Sequence, residues 1–508
     1  MQKQPFYVTT SIAYVNAAPH IGYALELVYA DALARFMQLR GCDVRFVTGT
    51  DEHGQKIARK AAEQGKTPQQ LTDENSALFR ALAKDLDISN TDFIRTTETR
   101  HRPAVETFWK RVQANGWLEK RKYSGLYCTG CESFKTEKDL VDGKCPDHLT
   151  TPEFVEAENW FFKLSAFQDK LKEWYAAHPE FVAPDSRFNE ARQLVEDGLE
   201  DVSVSRSTDQ LTWGIPVPGD DGQVIYVWFD ALINYLTAAG FGSDDESFKT
   251  FWPADAHVIG KDINRFHAVL WPAMLMAAGI EPPKQVAVHG WIHAEGGKKM
   301  SKTLGNVVAP DELIAAFGVD GARFLLLHEI PFRGDGDYSK ATFTERFNSN
   351  LANNLGNLVN RVTSMTGKYR QGLVPPRVGA DAALPIDDAV KGYVEAMAKL
   401  EFDVALGAIW ELVDAANKYV DSSKPWTLAK EGNDAELDAV LYRLLETIRV
   451  VAWLIRPVMP GTSDKMLDRL SQPADRDASL FDDVLKWGIL EPGATVTVGD
   501  PLFPRLEA

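Results

Sequence analysis

The stretch FYVTTSIAYVNAAPHIGYALELVYADALARFMQLRGCDVRFV, residues 6–47, decides how this chain begins to fold. Residues 6–12 are rich in β-formers. From 21 to 41 the apolar residues Leu25, Val28, Ala32, Phe36 and Leu39 return at steps of three and four. That spacing is the mark of an amphipathic helix, with Gly41 as its stop. Residues 44–47 then read as a second buried strand. Strand, helix and strand in this order imply parallel strands joined by a right-handed crossover.

Working outward, strand signals return at 224–229, 257–259 and 286–288, with helical patterns between them. The sheet therefore reads as split. Residues 1–116 hold its first half and 211–290 its second, with 117–210 as a connective insertion and 291–345 as a linking region. From 346 to 508 helical periodicity takes over, at 347–365, 404–420 and 435–454, with a Pro/Gly-rich break at 372–385. The expected fold is α/β: a doubly wound, Rossmann-like parallel sheet split by an insertion, followed by an all-α helical-bundle domain.

The 508 residues are enough for about three domains. With no apolar run of 18 residues, no transmembrane helix is expected, and the first residues lack the apolar core of a secretory signal. Four cysteines are too few for a disulfide scaffold and point to a reducing, cytoplasmic setting. A net charge of −17 argues against bulk coating of nucleic acid. Local basic clusters remain: Arg100, His101 and Arg102; Lys110 and Arg111; Lys120, Arg121 and Lys122. Each is equally readable as a solvated helix face.

Cys128-Thr-Gly-Cys131 is followed, after thirteen intervening residues, by Cys145-Pro-Asp-His148. Two close pairs of such ligands suit tetrahedral Zn²⁺, and four protein ligands leave no place for a reacting water. The expectation is one structural zinc held at 128–148. The plain alternative is three buried cysteines and a surface histidine. Cys42 stands apart as a core residue.

Ala17-Ala18-Pro19-His20-Ile21-Gly22-Tyr23 opens the first helix, where free N–H groups favour phosphate. Gly22 allows close approach and His20 can donate to a phosphate oxygen. Further on, Gly296-Gly297-Lys298-Lys299-Met300-Ser301-Lys302 is a glycine-hinged loop able to bring positive charge to a polyphosphate. Its bland reading is an exposed basic turn.

These two segments resemble the HIGH and KMSK signatures of class I aminoacyl-tRNA synthetases. His20-Ile-Gly-Tyr23 carries tyrosine where the family usually has a fourth-position histidine. The resemblance narrows to the methionyl-tRNA synthetase family through Ser11-Ile-Ala-Tyr14-Val-Asn16, Thr48-Gly-Thr-Asp51-Glu-His53-Gly, Tyr226-Val-Trp228-Phe-Asp230-Ala231-Leu-Ile-Asn-Tyr235 and Gly260-Lys261-Asp262-Ile263-Asn-Arg-Phe-His267. It runs nearly end to end.

The resemblance implies ATP-dependent activation of L-methionine to an adenylate, followed by transfer to tRNA(Met), initiator and elongator. It places His20, Gly22, Gly260, Asp262, Lys299, Ser301 and Lys302 on ATP, which comes with Mg²⁺, and has His20, Tyr23, Lys299 and Lys302 serving catalysis. It places Asp51 on the methionine ammonium. It encloses the thioether with Ile12, Tyr14, Trp228, Ala231, Leu232, Tyr235, Ile263 and His267. Asn357, Arg361 and Trp426 read the anticodon; for Trp426 the alternative is a helix-end core residue. No appended dimerising module is expected after about residue 495, so a monomer is expected. The rival readings are a class I enzyme for leucine, isoleucine, valine or cysteine, and an inactive tRNA-binding descendant. A dinucleotide oxidoreductase is disfavoured, because no Gly-x-Gly-x-x-Gly follows the first strand.

Overall fold

The structure is a computed structural model that describes residues 3–128, 133–135, 137–146, 149–298, 300, 308–377, 379 and 384–507. Its centre is a six-stranded parallel sheet. In chain order the strands are β1 (Pro5–Tyr14), β2 (Asp43–Asp51), β3 (Asp92–Arg95), β4 (Val182–Ala183), β5 (Ala256–Gly260) and β6 (Val286–His289). Their spatial order is β3-β2-β1-β5-β6-β4. Val8 pairs with both Phe46 and Ala256, so β1 lies between the two halves of the sheet.

The first helix runs Ile21–Leu39, and Gly41 lies just past its end. It is buried nearly all round, more than an amphipathic stripe predicts. One side lies on the sheet and the other meets the helix Pro310–Glu329. A buried charge on it is therefore paired. Asp31 receives Arg323 at 2.5 Å, Arg35 at 2.7 Å and the Ser89 N–H at 2.6 Å. Burial works to raise the Asp31 carboxyl, but these partners bring it below its usual range.

Residues 224–229 do not join the main sheet, which corrects the strand expected there. Val224 and Ile225 close a small antiparallel sheet with 205–207 and 216–217, and Val227–Leu232 is a helix. A short run of β-formers cannot reveal by itself whether a strand or a buried helix forms.

Within 117–210 an antiparallel sheet is built on the long pair Leu118–Cys128 and Glu153–Phe162, in register from Leu118↔Phe162 to Tyr127↔Glu153. The chain then returns. Helices Gln168–Ala177 and Asp185–Glu196 flank β4, which pairs with β6 at the edge of the main sheet. Beyond residue 346 the described elements are helices, apart from a bridge pairing Leu373 with Thr495. The stretch expected as one helix starts as wide π-type turns at Phe347–Gly356 and continues as Asn357–Arg370. Phe402–Ser423 and Asp434–Ile455 form the long helices of this part, close to the spans their periodicity predicts.

Candidate active site

A cleft of about 710 Å³ opens where β1 and β5 lie side by side. Strand order reverses there, and open α/β sheets bind ligands outside the carboxyl ends of their strands at that point.

At one end of the cleft His20 caps the first helix, its Nδ1 accepting from the Gly22 N–H at 3.1 Å. In the neutral ring that makes Nε2 the donor. A Cβ on residue 22 would stand 3.0 Å from the ring atoms Cε1 and Nδ1 of His20, so any side chain there would displace the imidazole. Tyr23 lines the cleft with its ring, set edge-on to Phe79 at 4.9 Å. Its hydroxyl pairs with Thr48 Oγ1 at 3.0 Å. Burial pushes the Tyr23 phenol up, which keeps it neutral.

Asp51 ends β2 and is buried at the cleft wall. The helix Val227–Leu232 supplies Trp228, Ala231 and Leu232, the helix Asn234–Ala239 supplies Tyr235, and the chain after β5 supplies Ile263 and His267. Ile12 and Tyr14 of β1 complete the lining. Trp228 lies face to face on Phe266, with centroids 3.8 Å apart and planes 5° apart. His267 Nδ1 is 3.2 Å from the Ile263 carbonyl, which can only accept, so Nδ1 carries the proton. Nε2 then accepts from the Tyr235 hydroxyl at 2.8 Å. Burial holds His267 down to about 4, so the ring is neutral at pH 7. All nine residues expected around methionine therefore line one cleft, together with His20, Gly22, Gly260 and Asp262.

Sequence reading missed Glu26 and His289, which also line the cleft. Glu26 accepts from the Ser11 N–H at 3.0 Å and the Ser11 hydroxyl at 2.5 Å, and its other oxygen meets His289 Nε2 at 3.1 Å. The one available signal was a carboxylate inside an otherwise apolar helical turn. Trp291, missed as well, turns its indole N–H to Asp262 Oδ1 at 3.4 Å.

The glycine-hinged loop leaves the short strand Ile292–Ala294, which pairs with Gly336–Tyr338. Gly296 and Gly297 have φ of +77° and +72°, a backbone region that side chains disfavour. Met300 reaches the cleft. Lys299, Ser301 and Lys302 lie outside the described residues, as do Cys131 and His148. Cys128 and Cys145 are buried in the insertion, with the Leu149 N–H donating to the Cys145 carbonyl at 2.8 Å. Among the described residues no group of three or more metal-binding side chains comes together.

In the helical part, Asn357 and Arg361 line a polar groove of about 670 Å³ with Asn350, Asn354 and Asn417. Arg361 donates to Asp421 at 2.7 Å. Trp426, in the helix Pro425–Glu431, is 43% exposed, which overturns the core alternative for it. The basic clusters are largely neutralised. Arg100 pairs with Asp92 and Glu98, Arg102 with Glu106, Lys120 with Asp220 and Arg121 with Asp201, while His101 is buried.

A doubly wound parallel sheet with a ligand cleft at its reversal point and a helical domain behind it is the architecture of class I aminoacyl-tRNA synthetases. Residues 6–151 and 148–363 match the family described as "tRNA synthetases class I (M)". Residues 379–508 match the "Anticodon binding domain of methionyl tRNA ligase". A methionine–tRNA ligase of Caldanaerobacter subterraneus is 47% identical over 99% of this chain and 79% of its own length. One from Brucella melitensis is 44% identical, covering 99% of this chain and 98% of the relative. The Mycobacterium tuberculosis methionyl-tRNA synthetase solved in complex with methionyl-adenylate superposes with a TM-score of 0.93 at 44% identity, over 99% of this chain and 100% of that one. The chain belongs to the methionyl-tRNA synthetase family.

Proposed function

We infer that this chain activates L-methionine with ATP and transfers it to tRNA(Met), as a methionine–tRNA ligase. The observation that carries the reading is the single cleft, with a phosphate-suited helix start at one end and a carboxylate beside an aromatic wall at the other.

Asp51 holds the methionine ammonium, and the wall from Ile12 and Tyr14 to His267 encloses the thioether. A polarizable sulfur beside aromatic rings gains roughly 0.3–1.5 kcal/mol per contact. Gly260 and Asp262 receive the ribose end of ATP. The methionine carboxylate attacks the α-phosphate, a P–O bond forms, and pyrophosphate leaves. The nucleophile is already ionised, so no base is needed. In-line placement and neutralised phosphate charge lower the barrier. His20 donates from Nε2, Lys299, Ser301 and Lys302 supply charge and hydrogen bonds to the triphosphate, and Tyr23 helps from the cleft wall. Mg²⁺ bound with the nucleotide would offset phosphate charge. The 2′-hydroxyl of the terminal tRNA adenosine then attacks the adenylate carbonyl, and AMP leaves.

Asn357, Arg361 and Trp426 read the anticodon, Trp426 by stacking on an unstacked base and the others by bonding base edges. Both initiator and elongator tRNA present that anticodon. Cys128, Cys131, Cys145 and His148 hold a structural zinc. The burial of both Cys128 and Cys145 fits thiolate coordination, and metal analysis of the purified chain checks it at one zinc each. Placement in the cytoplasm agrees with the reducing-type cysteine usage; the chain acts as a monomer, which sedimentation checks. Among the described residues no helix is long and apolar enough to cross a membrane.

The test is ATP–pyrophosphate exchange with each amino acid. Methionine-led exchange is expected; exchange led by leucine, or none from folded protein, overturns the reading.

A further inference from the structure

The helix Val227–Leu232 has two faces. Trp228, Ala231 and Leu232 look into the cleft, while Asp230 is wholly buried behind it. An ionised carboxylate this deep is costly unless every partner is in place. Here the partners come from distant parts of the chain. His53 Nδ1 is 2.6 Å from Asp230 Oδ2, and His101 Nε2 is 2.8 Å from Oδ1. The other nitrogen of His101 lies 3.0 Å from Thr237 Oγ1, in the helix that carries Tyr235. Burial works to raise the Asp230 carboxyl, yet the two histidines bring it down to about 2, so it is anionic throughout the working range.

His53 stands two residues after Asp51. The residue between them, Glu52, is clamped by other partners: Arg95 donates to it at 2.7 and 2.9 Å, and Thr97 at 2.5 Å. Trp213 donates to the Glu52 carbonyl at 2.6 Å and sets its ring edge-on to His53 at 5.5 Å. The end of β2 is thus bracketed, with the Asp230 link as the side that faces the apolar wall. One carboxylate ties the end of β2 to both short helices that form that wall.

We propose that Asp230 is a positioning residue that sets the span between the ammonium end and the side-chain end of the cleft, and so contributes to selecting methionine over shorter or branched amino acids. The inference rests on the assignment of Asp51 and the aromatic wall to methionine. The chemistry is that of a ruler: a fixed gap between a charge anchor and an apolar stop admits a straight four-atom side chain and leaves a shorter one underpacked.

The experiment is pyrophosphate exchange with methionine and with leucine, on Asp230→Asn, His53→Leu, His53→Asn and Asp51→Asn. Asp230→Asn keeps shape and removes the charge. Its methionine KM is expected to rise about tenfold and its methionine-over-leucine ratio to fall several-fold, with kcat and the ATP KM within about twofold. His53→Leu, at the outer edge of the network, gives the same change in smaller measure, and reads the proposal if Asp230→Asn does not fold. His53→Asn places an amide N–H near the position of Nδ1 and is expected to restore most of the selectivity. A role in folding alone would lower stability and active fraction together and leave KM and the ratio unmoved, which overturns the proposal. Asp51→Asn separates the two readings. A raised methionine KM there with none in Asp230→Asn or His53→Leu overturns the ruler alone, whereas an unmoved KM in Asp51→Asn overturns the site assignment and the ruler with it.

Discussion

In the cleft the aromatic wall residues are fixed by bonded or stacked neighbours. Tyr235 is bonded to His267, Trp228 lies on Phe266, and the helix bearing Trp228 is tied through Asp230 to two histidines. The groove of the helical domain is built the other way. Its amides hold one another and face solvent: Asn417 donates to Asn354 and Asn354 to Asp414, each at 2.7 Å. The difference follows from what each surface recognises. A straight thioether side chain offers shape and a polarizable sulfur but no hydrogen bonds, so its pocket must be fixed. An RNA base brings its own polar edges and a flat face, so exposed amides and one bare indole serve.

That contrast can be broken by asking which substitutions touch which step. Lys302→Ala is expected to slow exchange by about 10²–10³-fold, the scale for losing one preorganised group at developing charge, with methionine binding largely retained. Single-turnover exchange beside equilibrium methionine binding measures it; an unchanged rate removes Lys302 from the chemistry. Trp426→Ala is expected to lower charging by roughly 5–150-fold, since stacking on a base is worth about 1–3 kcal/mol, with exchange within twofold. If charging and exchange fall together, Trp426 supports the fold and the contrast fails.

The third effect is on stability, not rate, and concerns the cleft side alone. His267 binds its proton near pH 4 when folded and near about 6.5 when unfolded. Between those values the unfolded chain holds more protons, so stability falls as pH drops from 6.5 toward 4, by up to ~1.4 kcal/mol per pH unit for this one group. His257, buried and also held well below its usual value, adds to the same limb. Urea midpoints across this range should show a shallower acid slope in His267→Asn than in the parent chain. Equal slopes would mean that His267 is wetter than its burial implies.

The β-α-β start was legible because a run of β-formers gives way, within forty residues, to apolar residues at steps of three and four and then to a second apolar run, and the long C-terminal helices because their stripes are uninterrupted. The cleft residues were legible through motif resemblance, and those among the described residues come together in one cleft. Other features were closed to the sequence for physical reasons. β4 is two residues long, too short to carry a period. The helix Val227–Leu232 is written in strand-forming residues, and its burial overrides their local preference. Asp230 meets partners 177 and 129 positions away, a proximity that only the folded chain creates. Glu26 and His289 are likewise 263 positions apart.

The two residues of β4 also bear on chain surgery. Because Val182 and Ala183 cover the outer edge of β6 in register with Val286 and Ala287, the stretch from 117 to 210 cannot be lifted out as a cassette. Its removal would strip a buried strand of its neighbour and leave a row of bare amides and carbonyls open to another molecule's strand, a route to aggregation. The antiparallel arm from Leu118 to Phe162 is the part that can be trimmed or exchanged, provided the returning helices and their short strand stay attached.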